Sequence, residues 1–246
     1  MAFHYMSQAL SFSEILHRSR AIFATTFHIV VVVAVVMVVL NAAILAYAPN
    51  LFWLSAIYAL IAGTYLIILF HHSALYPDET APPPAASITP LFWPFLWRSL
   101  VLGLGAGLAV GIVLGLLSLF GRAGLTIATF LIPLVVLIIV GLYGSVFPAI
   151  VDGGDRKWRT AYERAEPRIW PIFWMFIKGP FAVALVLQIA FAGLVVSGFS
   201  IVPATPDGGV SVIASILSFA AAIGQHFISA MAVVILCHIY RTDPSD

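Results

Sequence analysis

The chain of 246 residues is 62% hydrophobic and only 9% charged, far below the roughly 25% charged residues typical of soluble domains, which excludes a soluble fold and leaves no room for a water-soluble catalytic domain. A net charge of +1 gives no reason to expect a nucleic-acid partner. The single cysteine, Cys237, rules out an intrachain disulfide and a thiolate zinc cluster.

Residues 1–8 form a short mixed segment, after which Ser11-Phe-Ser-Glu14 has the S-x-x-E spacing of a helix capping box. Phe12, Ile15, Leu16, Ile22 and Phe23 then share one helical side, as expected for an amphipathic helix lying in the membrane interface. It leads into a first span at about 24–48, which carries His28 near its start and Asn41 deeper in. Ala46-Tyr-Ala48 resembles a signal cleavage site. That reading fails because the apolar run is much longer than a signal core and Pro49 would follow the cut.

Pro49-Asn50 predicts a tight turn into a second span, 51–71, which ends at His71 and His72. Residues 73–97 read as a linker. From Tyr76 to Pro90 it is Pro-rich and partly extended, and Leu91 to Arg98 then sets Trp93, Trp97 and Arg98 at headgroup level. The third span, 99–121, carries Gly103, Gly107, Gly111 and Gly115 at every fourth position. This stripe predicts close helix packing and a central place in the bundle, because lipid supplies no hydrophobic drive between helices.

A turn at Gly121-Arg-Ala-Gly124 precedes the fourth span, 125–147, where Pro133 and Gly141 predict bending. Residues 152–171 are the strongly charged segment, with Arg156, Lys157, Arg159, Arg164 and Arg168 set against four carboxylates. A short surface helix is expected over Arg159 to Glu166. The fifth span, 173–196, has Lys178, Gly179 and Pro180 near its start and Gln188 further in; a Pro-containing loop follows to residue 209. The sixth span, 210–239, holds Gln225 and His226 near its middle and is followed by a polar tail.

Charge sets the topology: with the N-terminus inside, every basic cluster falls on the cytoplasmic side and only Arg122 lies outside. The expected fold is therefore an all-α membrane protein. Its six transmembrane helices form three helical hairpins with short interfacial amphipathic helices, and both termini are cytoplasmic. Interfacial segments precede the hairpins near residues 11, 91 and 159, an architectural echo without a residue-level repeat.

Pro148-Ala-Ile-Val-Asp152, Ala161-Tyr-Glu-Arg-Ala165 and Trp170 to Phe176 together carry a family likeness, as does the opening Phe12-Ser-Glu-Ile-Leu16. The arrangement resembles the bacterial membrane-domain family that includes the transmembrane part of some glycerophosphoryl diester phosphodiesterases. The likeness covers about a quarter of the chain and implies a bacterial inner-membrane location. With no phosphodiesterase domain alongside, it implies no hydrolase activity.

No Asp or Glu lies within an expected span, which argues against ion coupling through a buried carboxylate. Lys178 is close enough to the interface to snorkel, and together with Arg156, Lys157, Arg159, Arg164 and Arg168 it suits anionic lipid headgroups. Two imidazoles from different helices can ligate a haem iron, so His28 with His71 or His72 is weighed for that role. Their spacing lacks the deep, paired placement of a haem cage, and no cofactor or metal is expected. Gln188, Gln225 and His226 are the candidates for an interhelical polar contact or a substrate path. Gly103-Leu-Gly-Ala-Gly-Leu begins like a dinucleotide fingerprint, but it lies inside a span rather than after a strand. The leading expectation is a non-enzymatic scaffold, assembly or accessory subunit working with membrane lipids and protein subunits of a complex. The alternative is a small transporter or channel for a lipid-like or uncharged solute.

Overall fold

A computed structural model describes residues 9–79, 82–200, 202–203 and 209–242. The opening segment 1–8, residues 204–208 of the expected loop with Pro206 and Asp207, and the expected polar tail 243–246 lie outside the described residues. Among the described residues the regular structure is helical, with no strand. The helices are α1 (Phe12–Tyr47), α2 (Phe52–Leu75), α3 (Ala85–Ser118), α4 (Gly121–Tyr143), α5 (Val146–Asp152), α6 (Trp158–Ala165), α7 (Ile169–Phe176), α8 (Ala182–Val196) and α9 (Val212–Arg241). Among the described residues six helical stretches are long and apolar enough to cross a membrane, which makes this a multi-pass membrane protein by length and composition.

The capping box forms as the spacing predicts. The Ser11 backbone N–H donates to Glu14 Oε2 at 2.7 Å, and the Glu14 N–H donates to Ser11 Oγ at 3.3 Å. The opening amphipathic segment is not a separate interfacial helix, however. It is the first turns of α1, whose 36 residues extend about 54 Å at 1.5 Å per residue, well beyond the roughly 30 Å hydrocarbon core.

The 73–97 linker is also shorter than its proline content suggests. Pro84 caps α3 in an extended conformation, and the helix then runs from Ala85 through Pro90 and Pro94. Both prolines sit near the start of the helix, where the carbonyls they leave unpaired are within reach of other donors. Arg98 Nη1 donates to the Pro94 carbonyl at 3.2 Å, one turn further along. In the fifth span, Gly179 and Pro180 do not break the helix. Ile177–Phe181 widens into a π-turn between α7 and α8, which accommodates a proline that has no N–H to donate.

Helix α1 packs on α2 and α3 packs on α4, while α9 leans chiefly on α1 and α2 rather than on its chain neighbour α8. Burial is concentrated at one end, where the first turns of α1, the last turns of α2 and α9, and α5 to α7 converge. Phe70, Phe95, Phe176, Ile15, Ile150 and Ile172 are fully buried there. We call this the basic end, because Arg98, Arg156, Arg164, Arg168 and Arg241 all sit at it. Toward the opposite end the helices are sparsely covered, and α8 has no buried residue.

The glycine stripe corrects the expected packing. A Cβ placed on Gly103, Gly107, Gly111 or Gly115 meets nothing within 4 Å. Only 6% of the most apolar stretch of α3 is buried, against 44% for the stretch ending at Asp152, so α3 is peripheral rather than central. Close backbone approach occurs at other glycines. A Cβ on Gly144 would stand 2.6 Å from Leu236 of α9, one on Gly224 would stand 2.8 Å from Leu187 of α8, and one on Gly141 would stand 3.0 Å from Ile172 of α7.

Candidate functional site

Two structural features at the basic end hold most of its polar chemistry, a set of ties between helix ends and a cavity beside them. The ties begin at Asp152, the last residue of α5. Gly153 follows it with φ +80, a left-handed conformation that glycine adopts at least cost and that turns the chain out of the helix. The turn presents the Asp152 carboxylate to two phenols. Tyr76, just past α2, donates to Oδ1 at 2.8 Å, and Tyr240, in the last turn of α9, donates to Oδ2 at 2.9 Å. One side chain thus joins three helix ends. The bond to Asp152, ahead of burial, pushes the Tyr76 phenol pKa up. Gly154 admits the Tyr240 ring, since a Cβ there would stand 2.4 Å from the phenol oxygen.

Arg168 makes the second tie and is buried, which corrects its expected role at lipid headgroups. Its guanidinium donates to the Arg164 carbonyl at 2.9 and 3.2 Å and to the Ile239 carbonyl at 3.3 Å. It also donates to the carbonyl and hydroxyl of Thr242, each at 2.6 Å. These acceptors include carbonyls at the end of α9, which a helix leaves without intrahelical partners. Arg164 is likewise buried, its guanidinium 5.0 Å from the centre of the Tyr240 ring, so it too is corrected from headgroup contact to internal packing. The missed signal was positional. Ala161, Arg164, Ala165 and Arg168 fall at i, i+3, i+4 and i+7, one face on which alanines let two arginines approach other backbones. Arg241 completes the set by donating to the Leu75 carbonyl.

The remaining basic residues lie nearer the surface. Lys157 is exposed and stands 3.5 Å from Asp155, Arg159 donates to Glu163 at 2.7 Å, and Lys178 is exposed on the π-turn. Arg156 is half-buried, and its carbonyl accepts from Arg98 Nε at 3.4 Å. The Thr160 hydroxyl, donating to Asp155 at 2.8 Å, holds that carboxyl below its ordinary range.

The structure does not bring the sequence-selected histidines into one site. His28 is exposed on α1. His71 is buried, with Nδ1 at 2.8 Å from the Ile67 carbonyl and its ring against Phe95 and Phe147. His72 stacks on Tyr76 and lies 3.7 Å from Glu79. Among the described residues no group of three metal-binding side chains forms. The expected polar path is not assembled either. Gln188 and Gln225 are exposed, and the buried Nε2 of half-buried His226 has no hydrogen-bond partner, so no hydrogen bond links the three.

The cavity has a volume of about 460 Å³ and lies between the first turns of α1 and the last turns of α2 and α9. His17, Arg18, Glu79 and Arg241 stand around its rim, while Ile22 and Val234 form part of its apolar floor. Sequence reasoning missed it because its walls come from three segments remote in the chain. Comparison with protein-family models, curated proteins and solved structures finds no match to this chain. Its own geometry therefore carries the functional argument.

Proposed function

We propose that this chain is a non-enzymatic accessory or assembly subunit of the bacterial inner membrane, with both termini cytoplasmic, that pairs through its open spans with a transmembrane helix of a partner protein. The observation that carries the reading is the uneven burial of the spans. Polar ties and large side chains hold the basic end together, yet α3 presents four glycines to open space, beside exposed Leu104, Leu108, Ile112 and Leu116. An outer face of this kind accepts another helix by close backbone contact, the main source of helix association in lipid. The excess of Lys and Arg at the basic end favours a cytoplasmic orientation for that end. The likeness to the phosphodiesterase membrane domains supports a bacterial inner-membrane setting.

Gentle detergent extraction followed by native mass spectrometry tests the reading. The expected result is a stoichiometric complex with a second membrane protein, lost in Gly107→Leu/Gly111→Leu while the variant remains folded. The open space at both Cβ positions makes that separation of folding from pairing available. A chain recovered only as a monomer, or a partner retained equally by the double variant, would overturn the reading.

A further inference from the structure

The cavity at the basic end has a polarity gradient along two of its walls. On α1 the lining changes from His17 and Arg18 to Ile22 and Thr25, and on α9 from Arg241 to Val234. Each change takes roughly 10 Å at 1.5 Å per residue. A bilayer's headgroup layer is about 5–8 Å thick per leaflet, taking half the difference between the full and hydrocarbon thicknesses. The cavity therefore has the depth to hold a headgroup together with the first acyl carbons. Its volume of about 460 Å³ also falls within the range of built ligand sites, roughly 300–1,000 Å³.

The rim has the charge for an anionic head. Arg18 is exposed and makes no hydrogen bond or ion pair with the described residues. Arg241 also lines the rim, with its Nη2 donating to the Leu75 carbonyl. Glu79 is the opposing carboxylate; it is exposed and stands 3.7 Å from His72 Nδ1. Among the lining side chains two guanidiniums stand against the single carboxylate of Glu79, while Glu14, one turn before Arg18 and outside the lining, is held by the Ser11 N–H and hydroxyl as well as by the field of Arg18. The lining is thus net positive, and guanidinium matches phosphate oxygens in geometry as well as charge.

From these observations we propose that the cavity seats one anionic phospholipid, its phosphate between Arg18 and Arg241 and its upper acyl segment against Ile22 and Val234. This site is separate from the α3 face that the partner reading uses, so either can fail without the other. Lipid retention tests the proposal. The full chain is reconstituted in nanodiscs of phosphatidylcholine with phosphatidylglycerol as the minor lipid, released into mild detergent and weighed by native mass spectrometry. One phosphatidylglycerol is expected to remain in preference to phosphatidylcholine. Loss of one charge-assisted contact in Arg18→Gln should lower that retention about tenfold. Lys157→Gln removes an exposed cation outside the cavity and should leave retention unchanged. Ala21→Trp, which fills part of the lining, should lower retention with the rim charges intact. Equal retention in wild type and Arg18→Gln, or equal loss in Lys157→Gln, would overturn the proposal. Displacement of the lipid by inorganic phosphate alone would overturn it too, since that marks a free-anion site.

Discussion

Replacing Arg168 with Met keeps a long apolar stem but removes the guanidinium that tacks the α6–α7 junction to the end of α9. Its hydrogen bonds to the Arg164, Ile239 and Thr242 carbonyls and the Thr242 hydroxyl are lost. A buried acceptor left unpaired costs about 1–3 kcal/mol, and two of these carbonyls have little access to water. Half-buried Thr242 can turn to solvent, and removing a buried charge returns part of its desolvation cost. The net loss comes to about 2 kcal/mol, or roughly thirtyfold in an opening equilibrium. Cys237 provides the readout, because it is the single thiol, is 3% exposed and lies two residues before Ile239 on α9. A dye-sized maleimide should label it roughly thirtyfold faster in Arg168→Met when labelling follows local opening, and the thermal midpoint should fall as well. Arg159→Met removes an exposed guanidinium and should leave both within error of wild type. A wild-type labelling rate together with a wild-type midpoint in Arg168→Met would refute the assignment of Arg168 as a tie.

Two further outcomes follow from the same geometry. Gly144→Ala should destabilise the protein by about 1–3 kcal/mol through overpacking against the Val140 carbonyl and Leu236, whereas Gly107→Ala should stabilise the isolated chain by up to about 1 kcal/mol through helix propensity; thermal unfolding in detergent separates the two. Asp152→Asn leaves one carbonyl for two phenols and should cost about 1 kcal/mol, in a double-mutant cycle showing coupling to Tyr240→Phe but none to Arg159→Met.

The spans and the α1 cap were legible because each depends on local signals: uninterrupted hydropathy for the spans, and a serine and a glutamate three residues apart for the cap. Packing was less legible, and the glycines show why. A repeat of four states where another backbone can come close, but a neighbour must then be present. Gly103 to Gly115 have none within the chain, while Gly144, Gly224 and Gly141, which carry no periodicity, meet Leu236, Leu187 and Ile172. Arginine exposure was misread for a related reason. Charge near an interface suggests lipid, yet Arg164 and Arg168 lie on a face lined by Ala161 and Ala165 and turn inward to carbonyls and an aromatic ring. Their neighbours Arg159 and Glu163 point outward and pair with each other.

The uneven distribution of these ties follows from the solvent on each side. Within the hydrocarbon, apolar side chains gain little by leaving lipid for one another, so α3 and α8 can remain uncovered at small cost. At the interface water competes for every polar group, and a helix end there must satisfy its carbonyls or leave them to solvent. Arg168 and Arg241 do this for α9 and α2, and Asp152 draws the tyrosines of both helices onto α5. The ties set the spacing of α2 and α9, α1 packs against both, and the cavity is the gap that remains between the three, lined by Arg18 and Arg241 above an apolar floor. Arg241 belongs to both features, since the side chain that caps α2 also lines the cavity. Cys237 lines the cavity too, so an anionic lipid seated there should cover its thiol and slow its labelling in phosphatidylglycerol nanodiscs relative to phosphatidylcholine alone.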